Sequence, residues 1–295
     1  MKFICPRCRS DLRGISENEL LCPVDRLSFR RVDGVWRFLL PERESHYARF
    51  ITDYETIRRL EGRTSSDSSY YRALPFEDKS GNFSADWKIR ALSYRLLEQI
   101  ISPNSQIIDL GAGNSWLSNR LTLLGCQVHA VDLLLNEEDG LGTWKNYEAK
   151  FTPVQAEFSR LPFEDGSASA VIFNASFHYS ENYEEALAEA LRTIRADGRI
   201  IVMDSPVYHN PDSGEKMVAE RKANFLAQYG FASDSLRSKN YLTYDEMREL
   251  GQSLGIRWQH VKPSYGLRWK LRPWLAKIRG HREPAEFGLW LGARA

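Results

Sequence analysis

The sequence predicts an α/β chain built on a doubly wound, mostly parallel sheet, with a small β ribbon at its N-terminus. Three observations carry this. Ile107, Ile108 and Leu110 form the short apolar run of a parallel strand covered on both faces, and Gly111-Ala112-Gly113 then turns the chain into a helix. Strand-like and helix-like segments go on alternating as far as Asp204. A βαβαβ order of this kind places its ligand at the carboxyl ends of the strands. Finally, Cys5-Pro6-Arg7-Cys8 and Cys22-Pro23-Val24-Asp25 flank a hairpin-sized segment.

Residues 1–40 read as the ribbon. The two knuckles have the spacing of a zinc site, with Cys5, Cys8, Cys22 and Asp25 offered to one tetrahedral ion. Three of the four cysteines crowd there, which argues against a disulfide framework. Residues 41–99 read as a helical and loop region that forms a lid. Pro41 to Gly81 is polar and broken, and the tract Arg63-Thr64-Ser65-Ser66-Asp67-Ser68-Ser69 predicts a mobile loop. Tyr70 to Phe76 is either a lid over the ligand or a packed aromatic segment. Asp86 to Ser102 reads as an amphipathic helix, with Leu92, Leu96 and Ile100 on one stripe and Leu97 and Ile101 beside it.

Residues 100–295 form the main domain. Glycines after a strand let backbone approach a ligand, and Asn114 or Ser115 is placed to cap the next helix. A dinucleotide loop wants a third glycine where this chain has Trp116, which argues against NAD or FAD. Asp109, just before the glycines, suits a cationic or hydroxylated ligand better than phosphates. Gln127 to Leu133 is the second strand; its Asp132, about 20 residues past the glycines, is placed to hold a ribose diol. Phe151 to Phe158 is the third strand and carries Glu157 near its end. Ala168 to Ala175 is the fourth and Arg199 to Asp204 the fifth, with a helix from about Tyr183 to Arg195 between them.

The stretches DLGAGNSWLSNRL, VHAVDL, AEFSRLPFEDGSASAVIFNASFHY and ALRTIRADGRIIVMDSP together resemble the class I S-adenosylmethionine-dependent methyltransferases, specifically the methyltransferase type 11 group. The resemblance covers roughly Ile100 to Pro206. It implies a Rossmann-like, seven-stranded sheet and S-adenosylmethionine as cofactor. Asp109, Gly111, Ala112 and Gly113 then form the loop around its methionine part, and Asp132 with Leu133 takes the ribose. Glu157 and Phe158 face the adenine, and Asn174 lies under the sulfonium end. Two departures touch turns: Ala168-Ser169 replaces a Phe-Asp pair, and Arg195-Ala196-Asp197-Gly198 replaces Arg-Pro-Gly-Gly. The ribbon and the run ending DGVWRFLLP resemble the zinc modules ahead of some methyltransferases, including ribosomal RNA enzymes, which implies a structural zinc.

His178, at the end of the fourth strand, is the first candidate general base; Asp204 and His209, with Tyr208, follow the fifth. An insertion at about 207–242 reads as a substrate cap with Met217, Phe225, Leu226, Tyr229 and Phe231. Thr243 and Glu246 have the spacing of a capping box for a helix to Leu254. From Gly251 to Arg282 there is no acidic residue, while basic residues alternate with Trp258, Tyr265, Trp269 and Trp274. Such a face suits RNA phosphates or an anionic membrane, unless the tryptophans turn inward. Glu286 to Ala293 reads as the antiparallel edge strand.

A net charge of +1 over 295 residues, with 42% hydrophobic residues, describes an ordinary globular protein. No apolar run reaches bilayer length and Met1-Lys2-Phe3-Ile4-Cys5 opens no secretory signal, so the cytoplasm is expected. The expected function is methyl transfer to oxygen or nitrogen of a small molecule. An RNA base methyltransferase and a non-catalytic cofactor-binding regulator remain open.

Overall fold

The computed structural model describes residues 1–295. Four strands open the chain: β1 (Arg13–Ser16), β2 (Glu19–Leu21), β3 (Ser28–Val32) and β4 (Val35–Arg37). Three helices follow, α1 (Pro41–Leu60), α2 (Ser68–Ala73) and α3 (Ser84–Leu97). The alternating part comprises β5 (Gln106–Leu110), α4 (Trp116–Leu123), β6 (Gln127–Asp132), β7 (Thr152–Gln155), β8 (Ala168–Asn174), α5 (Tyr183–Thr193) and β9 (Ile194–Met203). The rest adds β10 (Val207–Tyr208), α6 (Pro211–Tyr229), β11 (Leu242–Thr243), α7 (Tyr244–Leu254), β12 (Ile256–Val261), α8 (Leu267–Ile278) and β13 (Leu289–Arg294).

Seven strands form the expected sheet in the order β7-β6-β5-β8-β9-β13-β12. All run parallel except β13, which is antiparallel to both neighbours. The order reverses direction beside β5, so the crevice beyond its carboxyl end is the place for a ligand. Ile108 and Leu110 pack into the core on one face of the sheet and Ile107 into the core on the other. That two-sided burial is why the run is uninterrupted by polar residues, Asp109 excepted.

Several elements differ from expectation. The ribbon is not a free-standing unit: β4 pairs parallel with β7, Trp36 opposite Val154, so one sheet of eleven strands runs through the whole chain. Trp36, Phe38 and Leu40 share the core of Val154 and Phe163, which makes the apolar end of the ribbon part of the main interior. The stretch expected to be polar and broken opens with the long helix α1, started by Pro41 at its first turn. It buries only Tyr47, Asp53 and Ile57, and ion pairs such as Arg49–Asp53 at 2.8 Å add to its support. Tyr70, Tyr71 and Leu74 are core residues, not a lid. The buried face of α3 is Trp87, Ser93, Tyr94 and Leu97, because Trp87 and Tyr94 both pack on Trp116.

Helix α4 begins with Ser115 in a left-handed conformation and no capping bond from its side chain. Asn114 supplies a long contact instead, its Oδ1 accepting from the Trp116 amide at 3.4 Å. Thr243 does cap α7, accepting from the Glu246 amide at 3.1 Å. Strand β13, expected at the edge, lies inside the sheet, and the six-residue β12 forms the edge. No helix is long and apolar enough to cross a membrane.

Candidate functional site

The glycine loop is tied down by its neighbours before any ligand arrives. The Gly111 and Ala112 amides both donate to the Val131 carbonyl, at 2.8 and 3.0 Å. Gly111 sits at φ +73°, and a Cβ there would meet the Cβ of Ser176 at 2.2 Å, so only glycine fits. The Gly113 amide donates to Asp132 Oδ2 at 2.8 Å, and the Leu134 amide donates to Oδ1 at 2.8 Å. The carboxylate thus stands at the end of β6, oriented by backbone and facing the crevice.

A cavity of about 930 Å³, counting its open mouth, lies over this edge. Gly111, Gly113, Asp132, Leu133, Glu157 and Phe158 line it, together with Ser176 and Tyr179 beyond β8. Its carboxylates, Asp132, Glu157, Glu181 and Glu185, outnumber its single cationic side chain, Arg43. Arg43 is moreover spent on Glu157, with Nε 3.1 and 3.0 Å from the two carboxylate oxygens. An acidic wall suits a sulfonium cofactor bearing a ribose diol and repels a pyrophosphate. The residues therefore fit S-adenosylmethionine.

The remaining predicted cofactor residues stand behind the wall. Asp109 is fully buried, accepts from Ser118 Oγ at 2.7 Å, and burial pushes its carboxyl up to about 7. Ala112 and Asn174 are buried too, Asn174 with its Oδ1 unpartnered. Glu157 reaches the wall, but Arg43 and the Tyr47 hydroxyl, at 2.8 Å, occupy its oxygens. Glu157 thereby anchors α1 over the crevice. Of the two readings of Tyr70–Phe76 the packed aromatic segment holds, and Arg43, Tyr47, Phe50 and Tyr54 of α1 line the cavity instead. Tyr47, Phe50, Tyr54 and Ile57 recur at helical spacing, a stripe legible only once the helix itself is granted.

None of the three expected catalytic residues reaches the cavity wall. His178 is buried with Nδ1 3.2 Å from Ser205 Oγ; burial first, then Arg221 and Arg90, pulls its pKa down to about 3, so it is a poor base. Asp204 is buried against Ser93 Oγ at 2.6 Å. His209 is exposed on another side, stacked on Tyr244 at 4.2 Å. Strand-end position alone suggested all three; side-chain direction decided otherwise.

Burial also pushes Asp132 up to about 6. With Asp132 as the expected ribose acceptor, hydroxyl groups need its ionised form, so binding below pH 6 should first require loss of a proton. Affinity for S-adenosylhomocysteine should then fall about tenfold per unit of further acidification. Calorimetric titration between pH 5 and 8 checks this, and Asp132→Asn should flatten the profile.

At the other end of the sheet, the two ribbon knuckles repeat one turn. The Arg9 amide donates to the Cys5 carbonyl at 2.8 Å and the Arg26 amide to the Cys22 carbonyl at 2.9 Å, each arginine with positive φ. The repeat brings Cys5, Cys8, Cys22 and Asp25 together, all donor atoms within 4.8 Å of one another. Cys8 Sγ lies 3.5 Å from Cys22 Sγ, and Asp25 Oδ2 lies 3.2 and 3.6 Å from the sulfurs of Cys5 and Cys22. Donor–donor edges in a zinc tetrahedron are about 3.5–3.8 Å for ion–ligand lengths near 2.0–2.3 Å, so this set fits zinc.

Residues 108–202 match the family model described as a methyltransferase domain. The chain is 30% identical over 162 residues to a sarcosine/dimethylglycine N-methyltransferase of Halorhodospira halochloris, across 51% of this chain and 58% of that protein. It is 26% identical over 175 residues to the ubiquinone/menaquinone biosynthesis C-methyltransferase UbiE of Rhizobium etli, across 49% and 68%. The chain thus spans less than two thirds of the first of these relatives, and the two differ in the atom they methylate. Among solved structures, the YcgJ protein of Bacillus subtilis shares the fold with a TM-score of 0.52 at 14% identity, across 70% of this chain and 99% of that one. A protein described as a candidate sarcosine dimethylglycine methyltransferase of Galdieria sulphuraria gives 0.51 at 13% identity, across 81% and 98%. With the glycine loop, the carboxylate opposite it and the strand order in place, these similarities support a class I S-adenosylmethionine-dependent methyltransferase domain around residues 108–202.

Proposed function

We propose that this protein transfers a methyl group from S-adenosylmethionine to an oxygen or nitrogen of a small acceptor that carries an anionic group. The observation that carries this reading is a second cavity, of about 850 Å³ with its mouth, that shares Phe50, Tyr54, Tyr179 and Leu236 with the first. The rings of Phe50, Tyr54 and Tyr179 stand with centroids 5.7 to 6.2 Å apart where the two meet. Aromatic faces stabilise a cation at such a junction. When bound, S-adenosylmethionine supplies an electrophilic methyl group whose bonding electrons stay with sulfur. The protein's part is to hold the acceptor atom in line beyond the aromatic junction while its proton leaves to water. Neither cavity is lined by a histidine, which supports transfer by positioning.

The second cavity is lined by Arg58, Arg63, Arg90 and Arg221. Arg58 is paired with Asp139, and Arg63 with Glu61 and Asp86. Arg90 lies over the Trp87 ring at 4.8 Å, within electrostatic reach of the buried Asp204 carboxylate but with no ion pair, and the Nε of Arg221 is buried with no hydrogen-bond partner. A buried guanidinium N–H without a partner is costly until an acceptor pairs with it, and an anion is the strongest such acceptor. Helix α6, within the insertion expected as a cap, contributes Arg221 and Phe225 to this wall.

The test is transfer from labelled S-adenosylmethionine to paired acceptors: 4-hydroxybenzoate and its methyl ester, glycine and glycinamide, phosphoethanolamine and ethanolamine. Turnover should favour the anionic member, and Arg221→Met should raise its KM about tenfold while leaving S-adenosylhomocysteine affinity within about twofold. Preference for the neutral members would overturn the acceptor class. Labelling of RNA with a steep salt dependence would favour the RNA reading instead.

In the ribbon we propose a structural zinc held by Cys5, Cys8, Cys22 and Asp25. The nearly tetrahedral spacing of the four donors supports it.

A further inference from the structure

Helix α8 buries none of its 12 residues. At about 100° per residue, Leu267, Leu271, Trp274, Leu275 and Ile278 fall within an arc of about 100°. These five side chains are the most conspicuous exposed apolar group of the chain, between 37% and 78% exposed. Arg268, Arg272 and Arg279 border the arc on one side, and Lys270 and Lys277 border it on the other. The opposite side of the helix holds to the protein through Trp269, whose ring lies 4.8 Å from Tyr265 and 5.9 Å from Phe287. The helix follows the carboxyl end of β12, which points the same way as β9 because β13 is antiparallel to both. It therefore leaves the sheet at the edge where the two cavities open.

We propose that α8 is a membrane-surface helix that holds the protein on bilayers containing anionic phospholipid. An apolar arc with basic borders lies flat in the interface, its leucines, isoleucine and tryptophan entering the boundary of the acyl region. The arginines and lysines reach out to lipid phosphates. Charge complementarity selects this occupant: from Gly251 to Arg282 the chain has no acidic residue. A second copy docking through the same face would bring like basic borders together. RNA would take the basic side chains, but Leu267, Leu271, Leu275 and Ile278 neither stack on bases nor pair with phosphates.

The test uses the full chain with vesicles of phosphatidylcholine alone and with about a third phosphatidylglycerol. Co-sedimentation should be at least about tenfold stronger on the anionic vesicles and weaken in salt. Trp274→Ser with Ile278→Ser should reduce vesicle binding at least about tenfold. Lys270→Glu with Lys277→Glu should abolish the preference for phosphatidylglycerol. All four positions are exposed, so melting temperature and circular dichroism should stay unchanged, separating loss of binding from loss of fold. Equal binding to both vesicle types, or binding indifferent to the substitutions, would overturn the proposal. So would a concentration-dependent dimer, or binding to a single-stranded RNA oligonucleotide, that disappears with Trp274→Ser and Ile278→Ser; either would assign the face to that partner. None of these readouts depends on methyl transfer.

Discussion

Replacing Asp132 with alanine is expected to weaken S-adenosylhomocysteine binding by about a hundredfold or more, with the protein still folded. Two charge-assisted hydrogen bonds to a ribose are worth about 1.5–3 kcal/mol each, and about 2.7 kcal/mol already corresponds to a hundredfold. The substitution acts twice over, because the same carboxylate accepts from the Gly113 and Leu134 amides at 2.8 Å and so orients the loop that faces the ligand. Stability should change little in the other direction, since burial of the ionised group pushes its pKa up to about 6 and removing it relieves that cost. Calorimetry with S-adenosylhomocysteine, and NAD as a control, measures the effect. Unchanged affinity would remove Asp132 from the ribose role and leave the cavity without its main anchor.

Cys22→Ser should cost the protein its metal and part of its fold. Purified wild type should carry about one zinc per chain, and the variant close to none, because a serine hydroxyl replaces the central thiolate of the donor set. Cys22 is buried, and its Sγ is within 3.6 Å of both Cys8 Sγ and Asp25 Oδ2. The consequence should travel beyond the ribbon. Strand β4 pairs directly with β7, and Trp36 and Phe38 share the main core, so loosening the ribbon exposes the flank of the main sheet. A loss of several kcal/mol of stability, seen as a lowered melting temperature in wild type treated with a strong chelator and in the variant alike, is the expected result. Metal-free wild type that melts at the same temperature as the loaded protein would refute the site.

Much of the main domain was legible in the chain because its signals are local. The two-sided apolar run at Ile107–Leu110, the glycines after it, Asp132 at the end of the next strand and the knuckle spacing of Cys5, Cys8 and Cys22 each depend on residues close in sequence. Helix α1 was harder to see, because its stripe of Tyr47, Phe50, Tyr54 and Ile57 is aromatic, faces a crevice and is set among charged residues that mask it. Strand β12 was missed for a related reason: Ile256, Trp258 and His260 alternate on an edge strand whose other face stays exposed, and so much of the segment is polar. Near His178, Asp204 and His209 the sequence places strand ends at the right edge of the sheet. It does not say which way a side chain turns, and none of the three lines the cavity.

The fold class, the glycine loop, the carboxylate opposite it, the cysteine knuckles and the basic character of the segment ending at Arg282 can all be read along the chain. It took tertiary contacts to show that the ribbon extends the main sheet, that α1 lines the crevice beyond β5, and that Arg90 and Arg221 meet in a second cavity from distant segments. They also decided that the apolar arc of α8 faces outward. The physical reason is that periodicity and turn chemistry are properties of neighbours along the chain. Sheet registry, side-chain direction and the convergence of charges depend on contacts between residues far apart in it, which no local pattern encodes.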